Sequence, residues 1–321
     1  MSTLEKGRVI RADAKVVHVD FGDRVLLAAL RGKLFEVPTG QTNPIAVGDW
    51  VTVDTASEPA SVEVVLPRTN WLGRLASTHD PREQVLFANV ERLFVVSSVR
   101  KPPFSSNRTD RILAACAWHD IPATLVLNKV DLADEEEVAA LRESYAGAQV
   151  EVLETCAVDG RGIEELRAAL EGRVSAMYGG SGVGKSSLLN ALQPGLKLKI
   201  GKISKYWDAG KHTTTHSQFL PLAFGGAVID TPGIRVFRLH GATQQDLRGM
   251  FPELVAHQAG CHYPSCTHVS EPDCAVVRAL DTGAVAETRY ASYLELMNEI
   301  RELPELEGAP EAPESDGEES N

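Results

Sequence analysis

The chain of 321 residues has no run of ~18 apolar residues, so no segment is suited to cross a bilayer as a helix. Its first stretch, MSTLEKGRVIRADAK, has no apolar core after its charges, which speaks against a secretory signal. A soluble, cytoplasmic protein without a membrane partner is therefore expected. No internal repeat is visible. Basic residues are missing from Glu302 to Asn321, where eight acidic residues lie, so that stretch holds eight of the net charge of -12 and leaves about -4 for the rest. The acidity at first argues against a nucleic-acid partner, because polyanions attract basic proteins. Once the Pro/Glu-rich end is set aside as a solvated, disordered tail, that argument loses most of its force. Cysteine is scarce: there are five, and three of them fall between Cys261 and Cys274.

What is present suffices for real cores, with 43% apolar residues over a length that suits roughly two domains of ~100 to 200 residues. Residues 7 to 66 are short β-rich runs (RVIRA, KVVHVDF, RVLLAAL, KLFEV, DWVTVD, VEVVLP) broken by Gly, Asp and Pro, which predicts a small antiparallel barrel or sandwich. LPRTNWLGR marks a change of character. After it, apolar strands alternate with amphipathic helices from RLFVVSSV through DRILAACAWH, ATLVLN, VEVLET, GIEELRAALEG and VSAMYG to AVIDTPG. That alternation predicts an α/β domain with a mostly parallel sheet and helices on both faces. From about residue 241 the strands cease and a helical segment with clustered Cys and His follows.

Chemistry is concentrated at the ends of these strands. Residues 179 to 187, GGSGVGKSS, follow the strand VSAMY and open the helix KSSLLNAL, which is the context a phosphate-binding loop requires. Backbone amides of Gly179, Gly180, Ser181, Gly182, Val183 and Gly184 would face the anion, with Ser186 and Ser187 in the first helical turn. Lys185 would neutralise the outer phosphates, and the Ser186 hydroxyl would ligate Mg²⁺. In AVIDTPG, Asp230 ends an apolar strand where it can serve the Mg²⁺ site, and the Gly233 amide can sense the terminal phosphate. NKVD, residues 128 to 131, offers the Asp131 carboxylate to the ring N–H and exocyclic amine of guanine, a donor pair that adenine lacks. Asn128 and Lys129 would brace that loop. The segment Thr155-Cys156-Ala157 would give a backbone N–H to the guanine carbonyl oxygen.

NKVD precedes the phosphate loop, the reverse of the usual order. Ligands of open α/β sheets gather at strand carboxyl ends, so joining the original termini and reopening the chain elsewhere leaves each loop in place. The reading is a circularly permuted GTPase. The order NKVD, TCA, GGSGVGKSS, KHTTT, DTPG, with ANVERLFVVSSVRKPPFSSNRTDRIL, resembles the RsgA family of small-ribosomal-subunit biogenesis GTPases over nearly the whole chain up to about Glu302.

The resemblance implies an OB-fold domain at 1–72, a permuted P-loop GTPase domain at 73–240, a zinc-binding helical module at 241–303 and an acidic tail at 304–321. It implies GTP hydrolysis, with GTP and GDP as ligands and Mg²⁺ as cofactor. It also implies a late role in assembly of the 30S subunit, with 16S rRNA as a partner and the chain acting as a monomer. LKLKIGKISKYWDAGKHTTTHSQF would be switch I, with Thr214 on Mg²⁺ and five lysines beside Tyr206 and Trp207 for RNA. Ile234 stands where switch GTPases commonly use a glutamine to orient the attacking water. The catalytic group is therefore unassigned, with His212 and His240 as candidates. Cys261, Cys266, His268 and Cys274 form C-x4-C-x-H-x5-C, a Cys3His set suited to a closed structural Zn²⁺ site, and the family pattern selects His268 over His262. A non-enzymatic alternative is an RNA-binding scaffold whose docking is gated by nucleotide and whose hydrolysis is incidental.

Overall fold

The structure is a computed structural model, and it describes residues 3–35, 40–77, 80–196, 217–231 and 239–302. Alternation in the first strands decides which side chains point inward. In β2 (Val16–Asp20) Val17 and Val19 are fully buried while His18 and Asp20 face outward. β1 (Leu4–Ala12), β3 (Val25–Leu30), β4 (Trp50–Asp54) and β5 (Ser61–Val65) join it in a closed, OB-like barrel of order β1-β2-β3-β5-β4. Val9, Val17, Val19, Ala28, Val51, Val53 and Val62 fill its interior. Where a strand is expected at the start of KLFEV, Gly32–Phe35 form a 3-10 turn in which Leu34 N–H donates to the Arg31 carbonyl; Glu36 and Val37 lie outside the described residues. Ala29 and Leu30 have by then paired with Ser61 and Val62, which closes the barrel and obliges the chain to turn away.

A long hairpin, β6 (Trp71–Ser77) with β7 (Asp80–Ala88), follows the barrel and is not among the strands expected from the sequence. It is wedged between the barrel and the next domain. Glu83 is 5% exposed and accepts from the Trp71 indole at 3.0 Å and from Gln41 at 2.9 Å. Gly73 must lack a side chain, since a Cβ there would fall 2.0 Å from the Glu83 carboxylate.

The second domain is a six-stranded sheet of order β10-β9-β8-β11-β13-β12, made of β8 (Arg92–Ser98), β9 (Ala123–Asn128), β10 (Glu151–Thr155), β11 (Val174–Tyr178), β12 (Gln218–Pro221) and β13 (Ala227–Asp230). All of its pairings are parallel except that of β12 with β13. Helices cover both faces, so successive residues of one strand enter different cores. Leu93 and Val95 of β8 pack toward α1 (Ser106–Trp118), whereas Phe94 and Val96 pack toward α3 (Ile163–Leu170) and α4 (Lys185–Leu192). α2 (Glu135–Glu143) sends Val138 into the α1 side.

Only helices follow among the described residues after 240: α5 (Gln244–Leu247), α6 (Pro252–Gln258), α7 (Ala275–Asp281) and α8 (Glu287–Glu302). α8 lies against α1, and its Tyr293, Leu296 and Met297 join the α1-side core. A buried charge network pins this contact. Arg289 is 2% exposed and donates to Asp110 of α1 at 2.8 Å and to Glu253 of α6 at 2.6 Å. The Tyr145 hydroxyl also donates to Asp110, at 2.7 Å, and the rings of Tyr145 and Phe251 flank the guanidinium. Charges removed from water in this way are tolerable only when they are paired, as Arg289 is with one oxygen of Asp110 and one of Glu253.

Candidate nucleotide and metal sites

The glycine loop leaves the buried end of β11 and returns as α4, and its conformation explains its glycines. Gly182 and Gly184 have φ of 82° and 107°, a region that side chains disfavour. Gly184 occupies the N-cap of α4 and supplies no capping side chain, so the leading amides of the helix are turned toward a ligand. Lys185 folds back over the loop and donates to the Gly179 carbonyl at 2.6 Å. Burial lowers the pKa of its ammonium, and the Asp230 charge opposes that shift.

Pairing of Met177 with Asp230 sets that carboxylate beside the root of the loop. Burial raises the Asp230 pKa against the influence of Lys185, and its Oδ1 is buried without a hydrogen-bond partner among the described residues. A buried carboxylate oxygen whose charge is felt by Lys185 suits a divalent cation with its anionic ligand, and Ser186 is half-buried in the first turn of α4. Ser187 is half-buried in the same turn, and Ser181 is exposed at the loop's crest.

The segments that precede this loop in the chain touch it directly. Asn128 is 1% exposed at the end of β9, where its Nδ2 donates to the Val183 carbonyl at 2.8 Å and its Oδ1 accepts from Thr155 at 3.2 Å. That contact is tight enough that a Cβ on Gly184 would fall 2.2 Å from the Asn128 amide. Lys129 adopts φ 62° and sends its ammonium to the Gly182 carbonyl at 2.6 Å. Asp131 is exposed, in the turn Val130–Leu132, and its carboxylate accepts from the Cys156 thiol at 3.1 Å. No residue pattern signals that thiol contact, because it depends on how two turns meet. The Cys156 N–H is already donated to the Arg161 carbonyl at 2.9 Å, which leaves Ala157 as the amide of this segment better placed to serve a base.

Thr214, Gly233, Ile234, His212 and the lysine-rich stretch with Tyr206 and Trp207 lie outside the described residues. His240 is described, and its charge acts on His119 at the carboxyl end of α1, while the opposite end of that helix, at Ser105, borders the cavity beside the glycine loop.

Cys261, Cys266, His268 and Cys274 converge so that their ligand atoms all lie within 4.8 Å of one another. His268 Nδ1 is 3.5 Å from Cys261 Sγ and 3.4 Å from Cys274 Sγ, and the two sulfurs are 3.9 Å apart. Bonds of about 2.3 Å give a tetrahedron with edges of about 3.8 Å, so this donor set fits Zn²⁺. α8 holds the ligand loop through Tyr290, which donates to the His268 carbonyl at 2.6 Å, and Tyr293, which donates to the Thr267 carbonyl at 2.7 Å. Four donors of this kind would fill the positions of a tetrahedral ion.

The family model for RsgA GTPase matches residues 65–240. A small ribosomal subunit biogenesis GTPase RsgA of Bacteroides fragilis is 35% identical over 92% of this chain and 97% of its own length. The protein of that name from Chlorobaculum tepidum is 40% identical over 81% of this chain and 87% of its own. Among solved structures, YjeQ of Thermotoga maritima superposes with a TM-score of 0.74 at 34% identity, covering 94% of this chain and all of that one. YloQ, described as a circularly permuted GTPase, gives 0.66 at 25% identity over 93% and 96% of the two chains. With loops of reversed chain order interlocked at one end of the sheet and this extent of likeness, the chain belongs to the RsgA GTPase family.

Proposed function

We propose that this GTPase acts late in assembly of the small ribosomal subunit, with the 30S particle and its 16S rRNA as partners. The observation that carries the nucleotide part is the hydrogen bond from Asn128 to Val183, which joins base-reading and phosphate-holding loops into one receptor. In this reading the Asp131 carboxylate accepts both guanine donors, the Ala157 amide meets the guanine carbonyl, and the amides of 180–184 with Lys185 hold the phosphates. Ser186 and Asp230 are the residues that would hold Mg²⁺, joined by Thr214, and the ion's chemistry is to neutralise charge on the outer phosphate oxygens. Cys261, Cys266, His268 and Cys274 would hold one Zn²⁺ that fixes the fold of their segment. The names of the curated relatives support the ribosomal role.

Functionally we divide the chain into a barrel at 1–72, the GTPase domain at 73–240 and the zinc module at 241–303, working as a cytoplasmic monomer. Binding of GTP would order the switch segments for rRNA, and the subunit would supply what Ile234 lacks. Single-turnover hydrolysis with and without purified 30S subunits tests this. Acceleration of roughly tenfold or more is expected. Equal rates would favour the nucleotide-gated scaffold instead.

A further inference from the structure

The barrel leaves part of one strand edge unused. Phe21 N–H donates to the Arg24 carbonyl and Leu30 N–H to the Lys15 carbonyl, so bonding to β2 falls on the even-numbered residues from Arg24 to Leu30. Bonded and non-bonded pairs alternate in an antiparallel ladder, and Val25, Leu27 and Ala29 therefore turn their N–H and C=O groups the other way, toward β5. Ala29 is served there, because its N–H donates to the Ala60 carbonyl at 2.7 Å and it pairs with Ser61. Val25 and Leu27 are not. Among the described residues only Ala29 and Leu30 of β3 pair with β5, and the residue before Ala60 is Pro59, which has no N–H to offer. Two donors and two acceptors thus stand along this edge, in sets about 6.8 Å apart. Their side chains also lie outside the core, with Val25 50% and Leu27 53% exposed. An open edge beside exposed apolar side chains is a template for one more strand.

Alternating donors and acceptors at that spacing match the backbone of an extended polypeptide, whereas the phosphates of a nucleic acid offer acceptors alone. Charge then selects the kind of polypeptide. Arg24 is held by Glu5 at 2.7 Å and by Asp23 at 3.1 Å, and Arg31 is held by Glu63 at 3.0 Å. Asp20, which pairs with Val25 across the ladder, and the exposed Glu58, two residues before Ala60, add carboxylates that no basic side chain pairs among the described residues. The surroundings of the edge are therefore negative. We propose that the open edge of β3 at Val25 and Leu27 binds an extended, basic segment of another protein as an added strand. Its aliphatic side chains would lie on Val25 and Leu27, and its Lys or Arg side chains would face Asp20 and Glu58. Two sets of backbone bonds and two aliphatic contacts make a weak, reversible attachment, with Kd on the order of 0.1 mM. The site lies on the barrel and depends neither on the nucleotide loops nor on the ribosomal role.

The test titrates the full chain, isotope-labelled at Val and Leu, with the synthetic peptide KTKVKVKTK and follows the backbone amide resonances together with fluorescence anisotropy of the labelled peptide. The Val25 and Leu27 amide signals should shift as the peptide binds. A copy of the peptide N-methylated at alternate residues keeps its charge but loses the bonding N–H groups, and it should bind at least about tenfold more weakly. V25K combined with L27K should weaken binding about tenfold by repelling the peptide's lysines, with basal GTP turnover unchanged. Should that pair fail to fold, D20N with E58Q serves instead and should weaken binding about threefold. Unmoved Val25 and Leu27 signals up to about 1 mM peptide, undiminished binding of the N-methylated copy, or indifference to these substitutions would overturn the proposal. So would an oligouridylate that shifts those two signals when the peptide does not, since the edge would then serve RNA.

Discussion

At the scale of single residues, the proposed base-reading corner centres on Asp131, whose carboxylate accepts from the Cys156 thiol. Replacing Asp131 by Asn removes an acceptor for two guanine donors, and hydrogen bonds to a charged group contribute about 1.5–3 kcal/mol each. The Asp131→Asn protein should lose GTP by roughly 10- to 100-fold and gain preference for xanthosine triphosphate, as read from kcat/KM for the two nucleotides. An unaltered preference would remove the guanine assignment. Gly184 is equally exposed to test, because its positive φ and the nearby Asn128 amide leave no room for a methyl group. Gly184→Ala should abolish nucleotide binding, measured by titration with a fluorescent GDP, while the far-UV spectrum of the protein is preserved. Much of this corner was legible, since GGSGVGKSS and NKVD each follow a recognisable strand. The Cys156 contact was not, because two loops 25 residues apart meet only once the sheet is assembled.

At the scale of elements, the pairing of α8 with α1 carries the largest concentration of buried charge. Arg289→Leu would strand Asp110 and Glu253 in a dry interface, and breaking such a pair costs about 3–5 kcal/mol. Urea denaturation should show a loss of that size, and a loss under about 1 kcal/mol would mean water reaches the site. This link was invisible in the sequence because Asp110 and Arg289 lie 179 residues apart and neither belongs to a motif. Barrel strands such as VVHVD were legible from strict alternation. The hairpin of β6 and β7 was not, because register shifts at Leu72/Gly73 and Leu75/Ser77 break its period of two and Pro81 interrupts it further. The four-residue β12 was too short to announce itself.

For the whole molecule, the module with the Cys3His cluster connects to the glycine loop through α1 as well as along the chain. Removing the metal with a strong chelator, or replacing Cys261 by Ser, should unfold the module and, through Tyr290 and Tyr293, loosen α8. Stimulation by 30S subunits should then fall well below that of the intact protein while basal turnover persists; unchanged stimulation with zinc demonstrably lost would separate the module from activation. The reversed loop order has one more consequence, which belongs to biosynthesis. Because β8, β9 and β10 are translated before the glycine loop, a nascent chain presents the half-receptor for the base well before it owns any grip on phosphate. Without a grip on phosphate, the early part of this domain must hold itself together by its own strand pairing and apolar contacts as it leaves the exit tunnel, until the remainder emerges.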